Sequence, residues 1–189
     1  MKAALQTGDA TRRMLRDAGF ADEMRRLRLD LAAAYPQLRT LMVIGAAGGE
    51  GVSTVAQALL QQFADNTGRS AVCVDLASRV GAPDNGDALA HWRARIDELR
   101  TQHELVLIDA PPATRESIGL ALAPHVDAVL IVVECDRTRL DTLDFMREKF
   151  EAAGARIAGS VLNRTGRWLP SSWWRRVRRR RTGRDQASG

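Results

Sequence analysis

Five short apolar runs constrain the fold of this chain more than any other feature. They are LMVIGA at 41–46, AVCVDL at 71–76, ELVLIDA at 104–110, DAVLIVVE at 127–134 and RIAGSVL at 156–162. Each is nearly continuous rather than alternating, so each reads as a strand buried on both faces. Helical stretches separate them at about 53–64, 88–101, 115–122 and 138–153, and residues 78–87 are turn-rich. Strands that alternate with helices and hide both faces belong to a parallel sheet covered on two sides. The expected fold is therefore α/β, doubly wound, with a mainly parallel sheet. Residues 1–35 read as one more helix, highly charged, with Met24, Leu27, Leu29 and Leu31 as its apolar residues and an end near Tyr35-Pro36. The chain divides into a helical segment at 1–36, the α/β domain at 37–164 and a tail at 165–189.

Composition narrows the class. A chain of 189 residues is one domain with short extensions. A hydrophobic fraction of 45% allows a sizeable core, so wholesale disorder is not expected. No apolar run approaches the roughly 20 residues that span a bilayer, and the first residues lack the apolar stretch of a secretory signal. Cys73 and Cys135 both fall in or beside strand-like runs and read as core thiols of a reducing compartment. A cytoplasmic location is the expectation. Residues 164–189 hold nine Arg and one Asp, a charge of +8; the chain total of +5 leaves −3 for the body. The basicity thus belongs to the tail. Lysine is nearly absent, with Lys2 and Lys149 the only two against 26 Arg.

The candidate site is the turn Ala46-Ala47-Gly48-Gly49-Glu50-Gly51-Val52-Ser53-Thr54, between the first strand and its helix. Glycines let a backbone fold tightly enough to aim N–H groups at phosphate, and the helix that follows adds its dipole and free amides. That is the context of a P-loop, with Ser53 where a hydroxyl meets Mg²⁺. The pattern fits except at Val52, which stands where a lysine is required. The second and third strands end in Asp75 and Asp109, the latter followed by Ala-Pro-Pro. Ligands of open parallel sheets bind beyond the carboxyl ends of the strands. Carboxylates there suit Mg²⁺ held directly or through water. His91, His103 and His125 are scattered without metal spacing, and no Ser-His-Asp or Cys-His arrangement is recognisable.

These residues together resemble the bacterial tyrosine autokinases of polysaccharide synthesis and export, within the deviant P-loop ATPases that also include septum-positioning and partitioning ATPases. The resemblance covers about 22–164. Gly48-Gly49-Glu50-Gly51-Val52-Ser53-Thr54 is similar to the family's PGEGKST, Val74-Asp75-Leu76-Ala77-Ser78-Arg79 to VDADLR, and Leu107-Ile108-Asp109-Ala110-Pro111-Pro112 to VIIDTPP. The stretch from Asp127 resembles DGVLLVVRAGKTR, and Ala155 to Arg164 resembles ARVLGVVLNR. Asp22-Glu-Met-Arg25-Arg-Leu-Arg28 resembles the ExxRxxR helix of ring assembly, with Asp22 in place of its Glu. The resemblance implies ATP or ADP with Mg²⁺ as cofactor. It implies that Gly48 to Thr54, Asn163 and Arg164 bind nucleotide, with Asn163 near the adenine. Asp75 and Asp109 would be catalytic, and Ser53, Asp75 and Asp109 would hold the metal.

The departures shape the expected activity. Val52 replaces the P-loop lysine, Ala47 the signature lysine of partitioning-type relatives, and Ala77 the second Asp of VDAD. The C-terminal tyrosine cluster is missing, and Tyr35 is the sole tyrosine. Removing one positioned donor from phosphoryl transfer costs roughly 10²–10³ in rate. Arg25 or Arg28 of a neighbouring subunit is one source of a substitute cation. The expected function is a degenerate, kinase-like P-loop ATPase with weak or absent kinase activity. It would be a cytoplasmic regulator or assembly partner in exopolysaccharide synthesis or export. Two alternatives stay open: a septum-positioning or cellulose-synthesis-associated ATPase that switches on the membrane, and a nucleotide-free interaction scaffold. The tail, with Trp168, Trp173, Trp174 and its arginines, points to an anionic membrane surface through 168–184. A loop of a membrane partner ranks next and nucleic acid below it. The expected partners are a membrane protein of the polysaccharide machine and further copies of the chain. The expected place is the inner face of the cell membrane.

Overall fold

The computed structural model describes residues 17–77 and 87–165. The tail at 168–184, the first residues of the N-terminal segment, Ser78 and Arg79 of the second motif and most of the turn-rich stretch lie outside the described residues.

The elements in chain order are α1 (Ala18–Ala34), β1 (Thr40–Gly45), α2 (Val52–Thr67), β2 (Ala71–Asp75), α3 (Ala88–Gln102), β3 (Leu105–Asp109), α4 (Ile118–Leu122), a 3₁₀ turn (Ala123–His125), β4 (Ala128–Glu134), α5 (Leu140–Ala152) and β5 (Ile157–Asn163). The five strands form one sheet in the order β2-β3-β1-β4-β5. Every pairing is parallel. The apolar runs explain this order of burial: β1 and β4 are buried along their whole length, whereas the edge strands β2 and β5 are half-buried.

Successive side chains of a strand point to opposite faces, so each run feeds two cores at once. Leu41, Val43, Leu105, Leu107, Leu130 and Val132 pack under α1 and α2. Met42, Ile44, Val106, Ile108, Val129 and Ile131 pack under α3, α4 and α5, where Trp92, Ile96, Phe150 and Met146 meet them. Burial of each large aliphatic side chain contributes roughly 1.5–3 kcal/mol. The doubly wound parallel architecture expected from the sequence is the one observed.

The helices start and stop for local reasons. Asp17 caps α1 by accepting from the Phe20 amide at 3.0 Å, and Asp87 caps α3 by accepting from Ala90 at 2.9 Å. Pro36 disfavours helical backbone at Tyr35 and ends α1. In α1 the buried residues are Met24 and Leu31, with Leu27 half-buried between them, while Leu29 is 52% exposed. The stripe therefore runs 24–27–31 on a 3.6-residue period and leaves out Leu29, contrary to the sequence reading. The helix expected at about 115–122 begins only at Ile118, because Ala113 and Thr114 give their amides to the Gly45 and Ala46 carbonyls at the end of β1 instead.

Candidate functional site

The chain leaves β1 toward β2 on one side and leaves β3 toward β4 on the other. The loops after these two adjacent strands part there, at the switch point where ligands of such sheets settle. The glycine loop fills this place. Gly48, Gly49 and Gly51 have φ of 97°, 89° and 91°, a left-handed series that turns amide N–H groups into a concave nest. The nest already holds an anion. The Glu50 carboxylate, in a residue only 2% exposed, accepts from the Ala47 amide at 2.6 Å and the Gly48 amide at 2.8 Å. Gly51 stands at the start of α2 and gives no side-chain cap, so the first-turn amides of α2 face the loop without one.

Val52 turns back over the end of β1. A Cβ on Gly45 would lie 2.9 Å from Val52 Cγ2 and 2.8 Å from Glu50 Oε2. Val52 is half-buried and packs against the core beneath α2. Asn163, at the end of β5, donates to the Glu50 carbonyl at 2.7 Å and braces the loop from beside Gly51. A Cβ on Gly51 would collide with that same amide nitrogen.

At the foot of α2 the Ser53 hydroxyl donates to the Asp109 carboxylate. Asp75 stands opposite Asp109 in the β2–β3 register. Burial pushes the Asp109 carboxyl up from 3.8 to about 6; the Ser53 hydrogen bond opposes this and the nearby Asp75 charge adds to it. Asp75 is exposed and accepts from the Ala77 amide at 2.8 Å. Below them, burial first and then Asp109 and Asp75 push the Cys73 thiol up to about 12. Cys73 and Cys135 are both free. Among the described residues no three His, Cys, Asp or Glu side chains gather to hold a metal by themselves. A cation at Asp109 would complete its shell with the Ser53 hydroxyl, phosphate or water. A partly dehydrated carboxylate bonded to a hydroxyl is a fitting pair for Mg²⁺.

A second group of charges flanks the loop. Glu134, buried at the end of β4, meets Arg164 Nη1 through Oε1 at 2.8 Å and Arg137 Nη1 through Oε2 at 3.2 Å. The Arg164 hydrogen bond, with help from Arg137, holds its carboxyl below the usual range against the opposing effect of burial. Thr114 gives both its amide and its hydroxyl to the Ala46 carbonyl, at 3.1 and 2.7 Å. That clasp sets Arg115 beside Gly48.

The sequence-derived residues Gly48 to Thr54, Asp75, Asp109, Asn163 and Arg164 thus all lie at the carboxyl edge of the sheet. The sequence reading missed Thr114, Arg115, Glu134 and Arg137. The strand-end rule applied to β4 as well as to β2 and β3 would have flagged Glu134, which ends β4, and Arg137 in the loop after it. A separate cavity of about 600 Å³ lies at the opposite edge, lined by Gln37, Arg39, Arg69, Arg100, Glu104 and Asp127. Its polar groups are spent on structure: Asp127 Oδ2 accepts from the Arg39 and Thr40 amides, both at 2.8 Å, and Arg69 donates to the Leu38 and Glu104 carbonyls, both at 2.8 Å.

No family model matches the chain. The tyrosine-protein kinase ptk of Acinetobacter johnsonii is 23% identical over 93 residues, which span 48% of this chain and 13% of that protein. The kinase domain of the Escherichia coli tyrosine kinase ETK superposes with a TM-score of 0.67 at 16% identity, over 83% of each chain. The VpsO kinase domain gives 0.65 at 21% identity, over 84% of this chain and 98% of that one. An ATP complex of Cyanothece McdA gives 0.53 at 17% identity, over 67% and 70%. The order of the strands, the glycine loop after β1 and these superpositions agree: the chain has the P-loop fold of the bacterial tyrosine kinase domains.

Proposed function

We propose that the chain is a nucleotide-binding, kinase-like regulator or assembly partner of exopolysaccharide synthesis or export, with weak or absent kinase activity. One observation carries the reading: the loop after β1 holds an amide nest at Ala47 and Gly48 that already binds a carboxylate, and the helix it opens carries the Ser53–Asp109 pair, with a half-buried Val52 where a lysine is required. The amides of Gly48 to Thr54 would hold the phosphates of ATP or ADP. Ser53, Asp109 and, through water, Asp75 would hold Mg²⁺, which when bound would neutralise phosphate charge. Asn163, which braces the loop, and Arg164 after it would lie near the base. The polysaccharide setting rests on the motif resemblance and on the kinase names of the relatives. The matched part of ptk is a small fraction of that protein, so substrates and partners are part of the proposal. No described helix is long and apolar enough to cross a membrane. Attachment at the inner membrane face would therefore fall to the tail at 168–184 or to a membrane partner.

The second reading, a membrane-switching ATPase of the septum-positioning type, is supported by the likeness to the McdA–ATP complex. Calorimetry with MgATP and MgADP on the wild type and on Val52→Lys tests the first proposal. Micromolar binding by the wild type without phosphorylation of protein tyrosine is the expected result. Binding by Val52→Lys alone would favour the nucleotide-free scaffold. Robust tyrosine phosphorylation abolished by Asp109→Ala would overturn the claim of weak kinase activity. Nucleotide-dependent release from anionic vesicles would favour the second reading.

A further inference from the structure

Val52 leaves the loop without a cation of its own, yet two guanidinium groups reach it from neighbouring strand ends. A Cβ built on Gly48 would lie 3.8 Å from both Cζ and Nη1 of Arg115. A Cβ built on Gly49 would lie 3.4 Å from Nη1 of Arg137. Each arginine comes from a different crossover, Arg115 after β3 and Arg137 after β4, so they approach adjacent glycines from two strand ends. We propose that Arg115 and Arg137 supply, within the same chain, the positive charge that Val52 removes, and that they bind the terminal phosphates of a nucleoside di- or triphosphate. The assignment rests on the nucleotide-binding reading above and deepens it.

Three features support it. Arg115 is exposed and its guanidinium has no hydrogen-bond or ion-pair partner among the described residues, while its backbone is held by the Thr114 clasp on Ala46 and by the hydrogen bond its own amide donates to the Pro112 carbonyl at 2.9 Å. The backbone is placed and the charge is free. Arg137 is 65% exposed at its side chain and shares Glu134 with Arg164. If Arg137 turns to a phosphate, Glu134 keeps its 2.8 Å partner, so the exchange leaves no buried carboxylate unpaired. Finally, the Glu50 carboxylate lies on the Ala47 and Gly48 amides, and the Arg115 guanidinium approaches the same Gly48. This carboxylate marks where an incoming phosphate oxygen would sit. Guanidinium groups suit that position because they bind phosphate through paired, planar N–H donors and stay charged at every working pH.

The test is calorimetric titration of the full chain with MgATP, MgADP and AMP. It compares wild type, Arg115→Ala, Arg137→Ala, the double variant and Arg147→Ala, an exposed position on α5. Each hydrogen-bonded charge pair lost should weaken MgATP binding by about tenfold or more, and the double variant by about a hundredfold. AMP, which lacks the terminal phosphates, should change by less than about threefold, and Arg147→Ala should bind as wild type. Arg115→Lys and Arg137→Lys should restore part of the loss. Their melting curves without ligand guard against a folding artefact. Wild-type-like MgATP affinity in the double variant would overturn the assignment and leave nucleotide binding standing. Equal losses for MgATP and AMP would also overturn it, because the arginines would then act on the fold or the base rather than the phosphates. A wild type that binds no nucleotide would remove the parent reading and this assignment with it.

Discussion

Asp109→Asn removes a charge that the folded chain holds at a cost. The carboxyl ionises at 3.8 in its ordinary state and at about 6 in the fold, chiefly through burial. Between these values the native state binds more protons than the unfolded chain, so stability falls as pH rises through this window and stays lower above it. One unit corresponds to about 1.4 kcal/mol, which puts the penalty near 3 kcal/mol at pH 7 and above. An asparagine keeps an oxygen to accept the Ser53 hydroxyl and carries no charge. The variant should therefore be more stable than wild type at pH 8 by up to about 3 kcal/mol, or about 6–12 °C in Tm for a chain of this size. At pH 4 the two should nearly coincide. Urea melts from pH 4 to 8 in the presence of a chelator measure the difference, and subtracting the two curves cancels the other carboxylates. A variant no more stable than wild type at pH 8, or a difference independent of pH, would refute the reasoning. The same variant should lose Mg²⁺-dependent stabilisation by nucleotide, the exchange of stability for function expected where a site keeps a desolvated charge.

Three further outcomes follow from the same geometry. Glu50→Gln weakens the internal anion on the Ala47 and Gly48 amides, so MgADP binding should tighten by about tenfold, read by calorimetry, while the ligand-free Tm falls. Weaker MgADP binding would mean that the carboxylate shapes the nest rather than competes for it. Gly51→Ala places a Cβ at φ 91° and against Asn163, which should cost at least about 2 kcal/mol in a urea melt and release the Asn163 bond to Glu50. Cys73, half-buried with its thiol pushed up to about 12, should resist iodoacetamide at pH 8 in the native protein and react readily in urea. Mass spectrometry of the peptide checks this.

The sheet was legible because its strands are buried on both faces. A run such as Ala128 to Glu134 has no solvent face to satisfy, so it is apolar throughout and stands out from the helices around it. The loop was legible because glycine at 48, 49 and 51 has a backbone reason to be there. The two strand-end aspartates were legible because they interrupt apolar runs. Leu29 misled because hydrophobicity was counted without phase: a helix buries positions by angle, and 24, 27 and 31 share a face that 29 does not. The start of α4 was misplaced because Thr114 spends its hydrogen bonds on Ala46, a residue 68 positions away.

By itself the amino-acid sequence determined the parallel architecture, the position of the phosphate-type loop and the missing lysine, since these depend on local composition and short-range spacing. Tertiary structure alone decided what surrounds that loop. Glu50 turns inward onto the amides behind it, Val52 packs half-buried over the end of β1, and Ser53 reaches Asp109 across the sheet edge. Arg115 and Arg137 arrive beside adjacent glycines from two different crossovers. Those approaches are set by the strand order β2-β3-β1-β4-β5, which brings residues far apart in the chain to one edge of the sheet.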